Sequence, residues 1–139
     1  MSADLLPPAL RVALRVNAVR SLAAEAAGLA FDPAPVVKFF NPVGAATWLA
    51  TELYDDEDTL FGLADLGFGC PELGVFSLAE IASVRLPFGL GIERDADFAS
   101  AHPLSVWADT ARRAGSILDA QTLLRVPRGS ELPPRDRDG

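Results

Sequence analysis

Apolar residues recur at helical spacing near the start of the chain and at alternating positions through its centre. In "DLLPPALRVALRVNAVRSLAAEAAG" they return about every four residues, between two prolines and a closing glycine that mark where a helix begins and ends. The pattern predicts a helix over about residues 8–27. Its apolar stripe comprises Leu10, Leu14, Ala18 and Leu22, with Arg11 and Arg15 on a neighbouring face.

The centre of the chain alternates apolar and polar residues in short runs separated by turn formers. The runs are "VVKFF", "ATWLATELY", "TLFGLADLG" and "LGVFS", and Asn-Pro, Gly and Asp residues stand between them. Connections this short join antiparallel neighbours. The pattern therefore predicts a four-stranded meander from about Val36 to Ser77, in which Glu52 shares a strand face with Trp48 and Tyr54.

Helix signals return after the meander. Ser77 precedes Glu80 by three residues, which is the spacing of a capping box and predicts a short helix. "GIERD" predicts one more strand, and "HPLSVWADTARRAG" predicts a second long helix that ends at Gly115. We therefore expect an α+β fold, an antiparallel β meander of four to five strands packed with an N-terminal and a C-terminal helix.

Domain organisation follows from length and from where the apolar pattern stops. A chain of 139 residues, half of them apolar, is long enough for one hydrophobic core. We predict a single domain over residues 1–124 with its core at 35–115. From residue 125 prolines, glycines and alternating charges replace the pattern, so we predict a disordered tail over 125–139.

Charge is distributed unevenly along the chain. The formal net charge is −7, and between Phe39 and Val84 there are eight acidic and no basic residues, whereas the remainder carries twelve basic and eleven acidic ones. A segment of one sign raises a negative potential that repels phosphate backbones, so we do not expect a nucleic-acid partner. We expect a basic host protein, bound at a face formed by Glu52, Asp55, Asp56, Glu57, Asp58, Asp65 and Glu72.

Signals for catalysis are sparse. The chain matches no nucleophile–base grouping, phosphate-binding glycine loop or Cys/His metal spacing, and Cys70 and His102 each stand alone. We predict no catalytic residue and no cofactor. If a metal binds, converging carboxylates would hold it, and the candidates are Glu52, Asp65 and Glu72.

Each acid also has a structural alternative. Asp65 would cap the turn that leads to Gly67, and Glu72 would either cap the turn after Pro71 in the same way or pair with Arg94. The run from Asp55 to Asp58 would be a solvated loop. No apolar run approaches membrane-spanning length, and the N-terminus lacks the basic and apolar regions of a secretory signal, so we expect a cytoplasmic protein.

A longer string of residues is too specific to be compositional. "VVKFFNPVGAATWLATEL", "DTLFGLADLGFGCPELGVFSLAEI" and "GIERD" together resemble a family of small bacterial proteins classified only as a domain of unknown function, with the form F-N-P-x-G-A-x-T-W-L-x-T-E-L. The resemblance covers about residues 35–115. It implies a setting on plasmids, conjugative elements and phages, and it implies no activity.

The charge layout and this setting lead to two functional hypotheses. The first is a mobile-element accessory protein that acts as a protein–protein interaction module with an acidic face, for example as an inhibitor of a host defence or restriction nuclease. The alternative is a carboxylate-based, metal-dependent hydrolase or nuclease. Because no catalytic motif is matched, the balance favours a binding protein over an enzyme.

Overall fold

A computed structural model describes residues 5–125 of the chain. The predicted tail lies outside these residues except for Arg125, where the last helix ends. In chain order the elements are α1 (Pro8–Ala27), β1 (Val37–Phe40), β2 (Thr47–Leu53), β3 (Thr59–Asp65), β4 (Glu72–Ser77), α2 (Leu78–Ser83), β5 (Glu93–Arg94), α3 (Leu104–Ala114) and α4 (Ile117–Arg125).

The strands form one antiparallel sheet in the order β4-β3-β2-β1-β5. Strands β1 to β4 are a meander, and β5 returns to pair with β1 at the far edge. Every residue of the central strand β2 is buried, whereas the edge strand β4 is open to solvent along much of its length. The predicted α+β fold with a sheet of four to five strands and flanking helices is confirmed.

Two hydrophobic cores lie on opposite faces of the sheet. On one face, Leu14 of α1 and Ile81 of α2 pack against Phe39, Trp48 and other strand residues, and this cluster is here called the α1-side core. On the other face, α3 and α4 pack against Leu49 of β2 and Leu63 of β3. The sheet is therefore the middle of three layers, and both tryptophans lie in the cores as their large apolar area favours.

A β-bulge interrupts the pairing of β2 with β3. The register shifts between Ala50 and Glu52, and after the shift Leu53 joins Trp48 in the α1-side core, so the simple alternation predicted for β2 does not hold to its end. Gly62 faces the bulge. A Cβ atom there would lie 1.8 Å from the carbonyl oxygen of Leu49, so no larger residue fits without moving the backbone.

Helix α1 completes the edge of β2 beyond Ala50, which pairs with Val37 at the start of β1. The backbone N–H of Val36 donates to the carbonyl of Ala50, and past it the Asn17 side chain donates to Thr51 O at 2.9 Å. Arg15 Nη1 donates to Leu53 O at 2.8 Å. Two side chains of α1 thus take the place of a neighbouring strand, because buried carbonyls need a donor.

Helix α1 buries only part of its predicted stripe. Leu14 and Ala18 are buried, whereas Leu22 is largely exposed because the C-terminal half of α1 continues past the α1-side core. No helix within residues 5–125 combines the length and the apolar character needed to cross a membrane.

Candidate functional site

The acids of the β2–β3 loop are mostly committed to holding the fold. Asp56 accepts hydrogen bonds from the backbone N–H groups of Asp58 and Thr59 and from the Thr59 hydroxyl, which hold the pKa of Asp56 below its usual range. Asp58 accepts from the Ser77 hydroxyl at 2.7 Å and from the N–H of Ala79 at 2.8 Å, so it joins the loop to the start of α2.

A further acid of the β2–β3 loop, Glu57, contacts α1. Glu57, which has a left-handed backbone (φ 60°), places Oε1 3.0 Å from Arg11 Nη1 and Oε2 3.8 Å from Arg15 Nε. Asp55 differs from its three neighbours: within the described part of the chain it has no hydrogen-bonded or ion-paired partner. Of the four loop acids, Asp55 alone is available to something outside the fold.

Asp65 is buried in the sheet and joins two distant segments. It is 1% exposed, and its Oδ1 accepts the N–H of Gly67 at 2.9 Å, which is the predicted turn cap. Its Oδ2 accepts the N–H of Ile117, the first residue of α4, at 2.8 Å. The carboxylate therefore satisfies a backbone donor at each end, which is a structural role that needs no ligand.

Glu72 lies apart from the other acids, exposed at the start of the edge strand β4. Its suggested partner Arg94 belongs to β5, at the opposite edge of the sheet, so the predicted pair does not form. Nor do the three candidate metal ligands converge: among residues 5–125 no three His, Cys, Asp or Glu side chains lie close enough together to share a metal ion. The seven acids do not form one face.

Glu52 and Asp55 meet in a cavity between α1 and the β2–β3 hairpin, here called the α1–hairpin cavity. It has a volume of about 320 Å³, and Glu25 of α1 adds a third carboxylate to its wall. Val19 and Leu22 of α1 supply apolar surface beside these acids. Acidic and apolar groups therefore line the same open space.

Electrostatics single out Glu52 within this cavity. Glu52 is 8% exposed and forms no ion pair with any described residue. Burial raises the pKa of Glu52, and the Ser21 hydroxyl partly opposes that shift. Burial also raises the pKa of Tyr54, with a smaller contribution from the charge of Glu52. Arg15 reaches the same wall, but it is engaged with Glu57 and with the Leu53 carbonyl.

A second cavity, here called the Lys38 cavity, lies on the α4 side of the sheet and measures about 370 Å³. Lys38 is 7% exposed, and its Nζ donates to Gln121 Oε1 of α4 at 2.7 Å. Asp95 Oδ2 is 3.6 Å from Nζ, and the centroid of the Phe40 ring is 5.6 Å away. Burial lowers the pKa of the Lys38 ammonium, and the Asp95 charge opposes the shift.

A family model described as "Protein of unknown function (DUF2958)" matches residues 5–118. The chain belongs to this family. The DUF2958 match begins before α1 and ends inside α4, so it includes every residue that lines the two cavities. The predicted membership in a family of unknown function is confirmed at that level, and the plasmid and phage setting stays a prediction. Searches of curated proteins and of solved structures returned no significant match.

Sequence reasoning about this DUF2958 chain named Glu52 and Asp55 but missed the residues that complete both cavities. Glu25 is the only acidic residue of α1, and only the packing of α1 brings it to the hairpin. Lys38 did give a signal, because it is the only lysine of the chain and stands inside the apolar run "VVKFF". A lysine is almost never fully buried unless it is paired, so its position in this run indicates a partner elsewhere in the fold.

Proposed function

We propose that this protein is a binding module that takes a basic side chain of a partner protein into the α1–hairpin cavity. The observation that carries the proposal is Glu52, a buried carboxylate that lines an open cavity and forms no ion pair with any described residue. An ionised carboxylate in such a place is costly unless a cation approaches it. An entering guanidinium or ammonium group would supply that cation.

The other walls of the cavity suit the rest of such a side chain. Long basic side chains carry an apolar stem, which Val19 and Leu22 would contact. Asp55 and Glu25 would lie near the charged end. Arginine fits this set better than lysine, because its planar fork donates to two carboxylates in fixed directions.

The biological setting within this proposal is that of a mobile-element accessory protein, with a host defence or restriction nuclease as the basic partner. Two considerations support it: the motif resemblance described above, and the excess of acids that would steer a basic protein toward the hairpin. The alternative of a carboxylate-based, metal-dependent hydrolase or nuclease has no comparable geometric support, since Glu52, Asp65 and Glu72 lie apart.

A defined peptide tests the binding proposal. Acetyl-Gly-Arg-Gly-amide is titrated into the ¹⁵N-labelled protein, beside the same peptide with citrulline, which keeps the shape of arginine without its charge. We expect the arginine peptide to shift amide resonances of residues 18–22 and 52–55, less so at high salt. Glu52→Gln should abolish the shifts, and Glu72→Gln, which changes an exposed acid far from the cavity, should preserve them.

Equal responses to the two peptides, or shifts that persist in Glu52→Gln, would remove the basis of the proposal. Titration of Mg²⁺, Mn²⁺ and Ca²⁺ during thermal unfolding addresses the alternative. If one of these ions raises the midpoint of thermal unfolding in the wild type but not in Glu52→Gln, the result would favour a metal site over a pocket for a basic side chain.

A further inference from the structure

We infer that Lys38 is a reactive amine that captures a small aldehyde in the Lys38 cavity. This site lies on the opposite face of the sheet from the α1-side core and is independent of the binding module proposed above. The inference rests on the position of the amine, on the charges around it, and on the open space beside it.

Packing fixes the position of the amine. Lys38 is the second residue of β1, and its carbonyl accepts the N–H of Asp95 at 3.0 Å, so strand and acid are joined through the backbone as well as through their side chains. Gln121 holds Nζ from α4 at 2.7 Å. An amine held from two sides loses less freedom on reaction than one at the end of a mobile side chain.

The surroundings favour the uncharged amine, which is the form that attacks a carbonyl. Burial disfavours the ammonium, and the positive charge of Arg125 on α4 acts in the same direction. Asp95 acts in the opposite direction without cancelling the effect of burial. Desolvation in an apolar site or beside another cation is the usual means by which a protein turns lysine into a nucleophile.

The cavity leaves room for a reactant beside the paired Lys38 and Asp95, both of which line it. Its volume of about 370 Å³ is within the range of small-molecule sites. Phe40, Pro42 and Leu118 line part of it, while Asn41 and Thr47 supply polar groups. A short aldehyde has this combination of an apolar chain and one polar end.

The reaction balances without an oxidant or reductant. The lone pair of the amine attacks the carbonyl carbon to form a C–N bond, and the carbonyl oxygen takes up a proton. The C–O bond of this carbinolamine then breaks, and the oxygen leaves as water with the second amine proton. One amine and one aldehyde give one imine and one water. Asp95 Oδ2 lies 3.6 Å from Nζ, longer than a direct hydrogen bond, so it would accept each proton and pass it to the oxygen through one water or after a small side-chain movement.

The single lysine makes the test direct. The folded protein is treated at pH 7.5 with propionaldehyde and sodium cyanoborohydride, which reduces the imine to a stable secondary amine, and the labelled peptides are quantified by mass spectrometry. Arg113→Lys provides an internal reference in the same chain. Residue 113 is exposed and, like Lys38, is paired with an aspartate, here Asp109.

We expect Lys38 to be labelled several-fold faster than the introduced lysine at 113 in the folded protein, and equally fast in urea. A purely structural Lys38 would be labelled more slowly than the exposed reference, because transient opening cannot make a buried amine faster than one that is always open. Slower or equal labelling at Lys38 in the folded protein would overturn the inference.

Two variants define the role of the neighbouring acid. Asp95→Asn should slow labelling of Lys38 and leave labelling at 113 unchanged, because the amide cannot carry the proton. Loss of the Asp95 charge also lowers the pKa of Lys38 further and so increases the neutral amine, and we expect the lost proton transfer to outweigh this gain. Asp95→Glu, which keeps the carboxylate, should restore much of the rate. If Asp95→Asn labels Lys38 as fast as the wild type does, or faster, the proton-carrying role assigned to Asp95 is refuted.

Discussion

Asp65 offers the sharpest test of whether the acids of this chain serve the fold. Each of its oxygens accepts one backbone N–H, from Gly67 at 2.9 Å and from Ile117 at 2.8 Å, and the side chain is 1% exposed. Asp65→Ala would leave both donors without a partner, but only the Ile117 N–H lies where water does not reach, since Gly67 belongs to an exposed turn. A buried donor left unsatisfied costs about 1–3 kcal/mol, and the Gly67 donor, which water can reach, adds less than that.

Removal of a buried carboxylate returns part of that cost, and we expect a net loss of about 2 kcal/mol in the free energy of unfolding. This corresponds to a fall of roughly 7 °C in Tm for a domain of this size. Asp65→Asn keeps one acceptor oxygen and should lose about half as much. Urea unfolding followed by circular dichroism measures both, with Glu72→Gln as the exposed control.

The expected order of stability is wild type, then Asp65→Asn, then Asp65→Ala, with Glu72→Gln close to wild type. An Asp65→Ala variant as stable as the wild type, or more stable, would refute this reasoning. It would mean that the carboxylate is held at a cost to the fold, as acids in functional sites often are.

Three further outcomes are expected. Gly62→Ala should destabilise the protein by about 3 kcal/mol or more, because the new Cβ meets the Leu49 carbonyl oxygen, whereas Gly74→Ala, its paired neighbour on β4 with nothing within 4 Å, should change stability by less than about 0.5 kcal/mol in urea unfolding. The pKa of Glu52 is raised in the folded state, so between pH 4.5 and that raised pKa the folded state binds more protons than the unfolded state. The stability of the wild type should therefore fall as pH rises through this window. A plot of Tm against pH should show the fall in the wild type and lack it in Glu52→Gln. The pKa of Lys38 is lowered in the folded state, so the unfolded state binds more protons between the folded pKa and pH 10.5, and stability should rise with pH across that window in the wild type but not in Lys38→Met.

Local signals accounted for most of the fold. The bounds of α1, the meander and the capping box at Ser77, whose hydroxyl accepts the N–H of Glu80, depend on residues close together in sequence. Helix α4 was missed, because its first N–H is held by Asp65 from 52 residues away and the chain shows only a glycine stop before it. The bulge in β2 was missed for a related reason: it depends on how Gly62 of the next strand packs.

The site was predictable only in part, because acids that are close together in sequence contact different helices once the chain is folded. Asp65 is directed to α4 and Asp58 to α2, although only six residues separate them. The two acids that do share a cavity, Glu52 and Asp55, are joined there by Glu25, which is distant in sequence. Only the docking of α1 creates that grouping, and no spacing rule would have found it.

Four of the eight acids in the base-free segment, namely Asp56, Glu57, Asp58 and Asp65, therefore form hydrogen bonds or ion pairs that hold the fold together. Arg11 and Arg15 face Glu57, the start of α2 faces Asp58, and the start of α4 faces Asp65. Reversing the charge of the whole loop would break these contacts as well as any partner contact, so loss of binding in such a variant would show only that the hairpin had come apart. Substitutions at Glu52 and Asp55 separate the two effects, because neither side chain is ion-paired within residues 5–125. If both leave Tm intact at neutral pH, while Glu52→Gln abolishes and Asp55→Asn weakens binding of the arginine peptide, then the cavity binds the partner and the other acids of the segment serve the fold.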